Sequence, residues 1–454
     1  MERKKYYIWV IGCQMNISDS ERVVRILEDL GYRKTEKEDS ADLIMVLACS
    51  VRQSAVDRIY GRAKCWRKLK IKNEKLKIIL SGCVLPADKP KMERIFDIIF
   101  DIKNLDKLPQ ILDKLTVNTS TPLSAGSKQF TEDKNKDYFS VHPKYESKFQ
   151  AFVPIMTGCD NFCSYCAVPL TKGREKSRPE KEILKEVEGL VKKGYKEITL
   201  LGQNVNSYGV KVKSKKEKVK NKSKNQFVEL LEKINKIPGD FWIRFITSNP
   251  QDMSDKLIKA VKNLDKVTEY IHLPVQAGNN EILKKMNRKY TKEHYLKLVS
   301  KIRKEIPASL AGGPNVSIST DTIVGFPSET RKQFEDTLDL YKKVKFDMAY
   351  IAQYSPRPGT AASRMKDDVP REGKRKREKE LTEILKKTAL KNNKKYLGKT
   401  VEVLAEKKEK KYLFGRTRTF KSVQFEGNKN LIGQFVKVKI TSATPWAMKG
   451  KIIK

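Results

Sequence analysis

Apolar and polar stretches divide the chain into three zones of different period. In the first zone, the apolar runs Tyr6–Ile11, Leu43–Ala48 and Leu76–Leu80 have the length of buried strands. Each is followed by a helical pattern. Ser18-Asp19-Ser20-Glu21 reads as an N-cap region opening an amphipathic helix to Leu30, with Gly31 just past its end. Val51–Lys70 has helical spacing, and a weaker helix falls near Pro90–Ile95. Strands that alternate with helices predict an α/β domain with a doubly wound parallel sheet. Residues 116–147, rich in Thr, Ser, Lys and Asp and without periodicity, read as a linker.

From Ala151 the alternation resumes, with candidate strands at 151–156, 197–202, 242–247, 270–275, 317–324 and 348–354. Six βα units suit a curved parallel sheet or partial barrel, whose chemistry sits in the loops after the strands. Arg371–Lys395 is basic and mostly helical. Beyond it Thr400–Ala405, Leu413–Phe420, Ser422–Phe425, Phe435–Ile440 and Met448–Ile453 predict a small antiparallel β-barrel of OB-like size. The expected domains are 3–116, a linker 117–147, 148–385 and 389–454.

Composition narrows the class. A chain of 454 residues, 39% of them hydrophobic, supports about three ordinary cores. No apolar run approaches the roughly 20 residues of a membrane span, and the start lacks the apolar core of a signal peptide, so a cytoplasmic protein without membrane contact is expected. The net charge of +40 favours a polyanionic partner through counterion release. In the terminal barrel Arg416, Arg418, Lys421, Lys437 and Lys439 interleave with Phe414, Phe420 and Phe435, a candidate surface for single-stranded RNA; an ordinary barrel with a charged outer face is the plain alternative. The Lys-rich stretch 211–226 reads as a solvated insertion.

The seven cysteines carry the sharpest signal. In a reducing compartment they point to metal or catalysis rather than disulfides. Cys159, Cys163 and Cys166 stand in one tight loop spaced C-x3-C-x2-C, directly after the first strand of the second zone. Thiolates suit zinc or an iron–sulfur cluster, and a structural zinc site wants four ligands. Three thiolates on a [4Fe–4S] cluster leave one iron open. Cys13, Cys49 and Cys83 are far apart in sequence, yet each sits just past a predicted strand. In a parallel sheet those ends share one edge, so the three could converge on a second metal centre; three unrelated core cysteines are the alternative. Cys65 reads as an ordinary helix residue.

The Cys159–Cys166 loop, with Tyr165 before its third cysteine, resembles the radical S-adenosylmethionine enzymes. Together with Gly12-Cys13-Gln14-Met15-Asn16, Ala48-Cys49-Ser50, Ser81-Gly82-Cys83, Arg174, Ser177-Arg178-Pro179, Leu201-Gly202-Gln203-Asn204-Val205-Asn206 and Val324-Gly325-Phe326-Pro327-Ser328-Glu329-Thr330, it is similar to the methylthiotransferase family, nearly end to end. The resemblance implies a methylthiotransferase domain, a central partial (β/α)6 radical domain and a C-terminal TRAM domain. Gly-Cys-Gln-Met-Asn differs from the Gly-Cys-Pro-Lys-Asn of the branch that modifies a ribosomal protein, and favours the branch acting on N6-(dimethylallyl)adenosine in tRNA.

By the same resemblance, Cys159, Cys163 and Cys166 hold a [4Fe–4S] cluster that cleaves S-adenosylmethionine, while Cys13, Cys49 and Cys83 hold a second one that carries or supplies sulfur. Tyr165, Gln203, Asn204, Ser248 and Asp321 are the candidate S-adenosylmethionine contacts. The expected partners are a tRNA anticodon stem-loop and a flavodoxin or ferredoxin, with the enzyme a monomer. The competing readings are a methylthiotransferase of threonylcarbamoyladenosine and a non-catalytic iron–sulfur RNA-binding or sensor protein. Two departures from the family pattern stand out: the Lys-rich insertion, and a longer approach to the fifth strand at Ala308–Asn315.

Overall fold

The computed structural model describes residues 3–50, 53–117, 138–209, 226–306 and 312–453. The Lys-rich stretch 211–225, most of the expected linker and residues 307–311 lie outside them. Two compact units emerge: Met1–Glu146 with Cys166–Arg174 and Arg357–Gly359, and Ser147–Tyr165 with Glu175–Pro356 and Thr360–Lys454. Among the described residues no helix is long and apolar enough to cross a membrane.

In the first unit, β1 (Lys5–Ile11), β2 (Arg33–Lys34), β3 (Leu43–Cys49), β4 (Lys77–Cys83) and β5 (Ile98–Ile99) form one sheet in the order β2-β1-β3-β4-β5. Every neighbouring pair is parallel. All seven residues of β3 are buried, because its two faces feed two cores. Leu43, Met45 and Leu47 pack with Val23, Ile26 and Leu27 of α1 (Gln14–Asp29). Ile44, Val46 and Ala48 pack with Ile59, Ala63 and Trp66 of α2 (Gln53–Lys72). The sheet is therefore doubly wound, as the continuous apolar runs predict. Each fully buried Leu, Ile or Val contributes about 1.5–3 kcal/mol.

In the second unit six parallel strands run as two sheets. Gln150–Pro154, Glu197–Leu201 and Trp242–Phe245 make one, and Tyr270–His272, Ser317–Val324 and Met348–Gln353 the other. Backbone bonds from Thr268 to Ile243 (2.9 Å) and from Ser248 to His272 (3.2 Å) join the sheets. The helix Arg371–Lys394 then leads into a closed five-stranded barrel. That barrel departs from the expected pattern in one pairing. Ser422–Glu426 runs parallel to Met448–Ile452, because the chain crosses over through Phe435–Ala443 before it returns.

The candidate RNA surface on this barrel needs correction. Arg418 is buried against Glu269 at 3.1 Å, and Lys421 against Asp347 at 2.6 Å. Phe420, held at a positive φ of 62°, stacks on Tyr270, and Phe435 lies over Trp242 at 4.5 Å. Arg244 spans the same interface, pairing with Glu197 at 2.8 Å and donating to the Arg418 carbonyl at 2.9 Å. These side chains hold the barrel against the six-stranded scaffold and are spent there. Sequence alternation could not separate them from the outward-facing Lys437 and Lys439, which stay exposed.

A buried ion pair stripped of one partner leaves a charge uncompensated, at a cost of about 3–5 kcal/mol. Arg418→Ala should therefore lower stability by that amount in urea unfolding, whereas Lys439→Ala should leave it within about 0.5 kcal/mol. Equal, small effects would contradict the docking.

Candidate active site

Cys13 stands just past β1, after Gly12, and caps α1. Its amide and thiol both point at the side-chain oxygen Asn16 Oδ1, at 3.2 and 3.5 Å, and Asn16 Nδ2 donates to the Ala48 carbonyl at 3.4 Å. Asn16 thereby ties the end of β1 to the end of β3. Cys49 and Cys83 are register neighbours at the ends of β3 and β4. Gly82 permits this approach. It has φ +109°, and a Cβ there would meet the Ala48 carbonyl at 2.3 Å. Ser50 locks the turn by donating to the Cys83 carbonyl at 3.1 Å and accepting from the Leu85 amide at 2.7 Å.

The Cys83 thiol is pushed well up, first by its hydrogen bond with Cys49 and then by burial. Cys13 is raised by burial and by the Cys83 charge. The structure thus brings the three separated thiols to one sheet edge. Among the described residues, no three His, Cys, Asp or Glu side chains close around a single ion position. A thiol must lose its proton to ligate a metal, so loading such a site would release protons to solvent.

The second thiol loop begins at Gly158 and is pinned by the turn Met286–Arg288, which sequence reasoning missed. Asn287, at φ 56°, donates to the Phe162 carbonyl at 2.9 Å, and Ser164 takes bonds to Met286 and Lys285. Arg288 donates to Cys163 Sγ at 3.2 Å, and also to Asn249 Oδ1 and the Pro274 carbonyl. Asn161 donates to Cys159 Sγ at 3.4 Å. Burial raises the Cys159 thiol, and the hydrogen bonds from Asn161 oppose that rise only in part. The only trace of this device in the sequence is a lone Arg after a Lys-Lys-Met-Asn run. Cys65, by contrast, is exposed on α2.

Among the candidate cofactor contacts, Asn204 and Ser248 are buried, and Asn204 Oδ1 and Ser248 Oγ have no hydrogen-bond partner among the described residues. Both polar atoms of Asn206, the last residue of the Leu201–Asn206 motif, likewise have no hydrogen-bond partner among the described residues. Buried polar atoms are normally paired, so this set is built for a polar ligand. Asn204 is oriented by donating to Asp252 at 2.7 Å. Gln203 is half-buried beside it. Asp321 lies within Ser317–Val324 and faces His272 at 3.6 Å. Tyr165 acts electrostatically on Arg288. Glu329 plays a structural part, accepting from the Gly325 amide at 2.7 Å and pairing with Arg377 at 2.6 Å.

Comparison with known families follows this division. The Radical SAM superfamily model matches residues 153–341, which include the Cys159–Cys166 loop and Asn204, Ser248 and Asp321. The model described as Uncharacterized protein family UPF0004 matches residues 5–101, with Cys13, Cys49 and Cys83, and a TRAM domain matches 389–453. Fold and thiol loop together define a radical S-adenosylmethionine enzyme, a class that uses one [4Fe–4S] cluster and S-adenosylmethionine.

The tRNA-2-methylthio-N(6)-dimethylallyladenosine synthase of Thermoanaerobacter pseudethanolicus is 45% identical over 99% of this chain and 92% of its own. That of Carboxydothermus hydrogenoformans is 43% identical over the whole of both. The chain belongs to the family of these synthases. Among solved structures, the radical S-adenosylmethionine methyltransferase TsrM of Kitasatospora setae has a TM-score of 0.54 over 79% of this chain and 75% of its own, at 12% identity. That likeness concerns the fold alone.

Glu175 stands near the thiol loop, accepting from Ser207 at 2.8 Å while its amide donates to Asp160. Burial first, then the charges of Asp160 and Asp252, push its carboxyl up to about 7 against the Ser207 bond. The folded protein thus holds this proton more tightly than the unfolded chain. The resulting stability is complete below the ordinary carboxyl value and is lost as pH rises through about 7. In urea unfolding of the iron-free protein, the stability advantage of the parent over Glu175→Gln should shrink from about pH 5 to about pH 8. A pH-independent difference would contradict the assignment.

Proposed function

We propose that this chain is a tRNA methylthiotransferase that converts N6-(dimethylallyl)adenosine beside the anticodon to its 2-methylthio derivative. The observation that carries the reading is the presence of two separate thiol triads on one chain: one in a single loop, the other assembled at a sheet edge. Methylthiolation replaces an unactivated aromatic C–H, which no protein base can deprotonate near neutrality, so a cofactor must supply the hard chemistry. Cys159, Cys163 and Cys166 would hold the [4Fe–4S] cluster that, with S-adenosylmethionine, would supply this radical chemistry.

The other parts belong to the protein. Arg288 donates to Cys163 Sγ and Asn161 to Cys159 Sγ, so both sulfurs are oriented by fixed donors. Asn204 Oδ1, with its amide committed to Asp252, presents an acceptor to an ammonium group. Asn206 and Ser248 offer further unsatisfied atoms, and Gln203 flanks them. Tyr165 and Asp321 complete the proposed cofactor set. Cys13, Cys49 and Cys83 would hold the second [4Fe–4S] cluster, for sulfur delivery. The expected domains 3–116, 148–385 and 389–454 thus take sulfur handling, radical chemistry and RNA contact. The +40 charge and the exposed Lys437 and Lys439 suit the anticodon stem-loop. A flavodoxin or ferredoxin would supply electrons to a cytoplasmic monomer.

Anaerobically reconstituted protein should hold about eight irons per chain by ligand arithmetic. With S-adenosylmethionine and a reductant it should methylthiolate tRNA bearing dimethylallyladenosine and leave tRNA bearing threonylcarbamoyladenosine unchanged, as read by nucleoside mass spectrometry. The reverse preference would move the chain to the other substrate. Iron binding without any methylthio product would make it a binding protein.

A further inference from the structure

Against the N-terminal triad stands a buried charge that none of the chemistry above uses. Lys172 belongs to the first unit, in the segment Cys166–Arg174. Its side chain is 2% exposed and donates to Asp19 Oδ2 at 3.0 Å; Asp19 itself is fully buried. The second oxygen of Asp19 accepts from the Tyr138 hydroxyl at 2.6 Å, and the Lys172 ammonium lies 5.6 Å over the Tyr138 ring. Tyr138 also reaches Met15 Sδ, two residues after Cys13. Asp19 is on α1, the helix that Cys13 caps. The network is thus built onto the same element as the triad.

An ammonium ion taken out of water costs several kcal/mol, and one carboxylate seldom repays it; a packed apolar side chain would serve stability as well. The cation therefore asks for a further anion. The N-terminal triad is the candidate: Asp19 and Met15, which anchor Lys172 and Tyr138, lie on the first turns of α1, the helix that Cys13 caps, and the charges of Lys172 and Cys83 act on each other. Burial lowers the Lys172 ammonium, but Asp19, Cys83 and Tyr138 more than reverse this, so it stays charged. Arg22, fully buried and over the face of Tyr138 at 5.1 Å, and Glu21 are the other ionic groups of this part of α1.

We infer that Lys172 is a positioning residue that sets the charge balance of the metal centre formed by Cys13, Cys49 and Cys83. The inference rests on the reading that these thiols hold a [4Fe–4S] cluster. A two-plus core bound by three thiolates is already an anion, and one-electron reduction makes it more negative. A fixed cation in a water-poor site favours the more negative state and raises the reduction potential. The segment that follows the radical loop thereby tunes the sulfur-handling centre.

The test uses the full chain with Cys159, Cys163 and Cys166 replaced by Ala, so that only the N-terminal centre can load. Its potential is read by dithionite titration followed by electron paramagnetic resonance. Lys172→Met in that background should favour the oxidised form at least tenfold, a shift of about 59 mV or more to the negative side. An unchanged potential at full iron content overturns the inference. If the Met variant takes up no iron, Lys172→Arg decides: restored loading supports a requirement for charge, and failure of both variants overturns it. If the background protein itself binds no iron, the reading of the triad as a cluster site fails, and the inference falls with it.

Discussion

The close approach of two parallel strand ends is the constraint on which the rest depends. Cys49 and Cys83 face each other because β3 and β4 keep register to their last residues. That register survives because Gly82 has no Cβ to drive into the Ala48 carbonyl. Asn16 then draws in the end of β1, and with it Cys13. Thiols from three parts of the chain thus meet without any covalent link. Hydrophobic burial on both faces of β3 provides the energy, and a missing methyl group provides the geometry.

Much of this was legible in the sequence. Continuous apolar runs gave away strands buried on both faces, and the cysteine after each run marked the shared edge. The tight loop at Cys159–Cys166 needed no structure to be noticed, because its spacing is local. Arg288, Lys172 and Glu175 stayed hidden for the opposite reason. They reach their partners across the fold, and as isolated polar residues they look like hundreds of others. The terminal barrel misled for a related reason. Basic and aromatic residues that look like an RNA surface in one dimension, Arg418, Phe420 and Lys421, turn inward to dock the barrel.

Three of the buried charges are held in ion pairs that join distant parts of the chain. Arg244 with Glu197, Arg418 with Glu269, and Lys172 with Asp19 are all nearly water-free. Such pairs contribute little net stability, so their value lies in specificity of placement. The first two define where the barrel sits on the radical scaffold. The third places a cation beside thiols that must carry negative charge whenever metal is bound.

The central claim is that the two triads do different jobs on one substrate. The most direct measurement replaces Cys13, Cys49 and Cys83 together by Ala and follows two products of the reconstituted enzyme with tRNA. Deoxyadenosine from S-adenosylmethionine should still form, because Cys159, Cys163 and Cys166 remain, while 2-methylthio nucleoside should be absent. A variant that still makes the methylthio product would contradict the account.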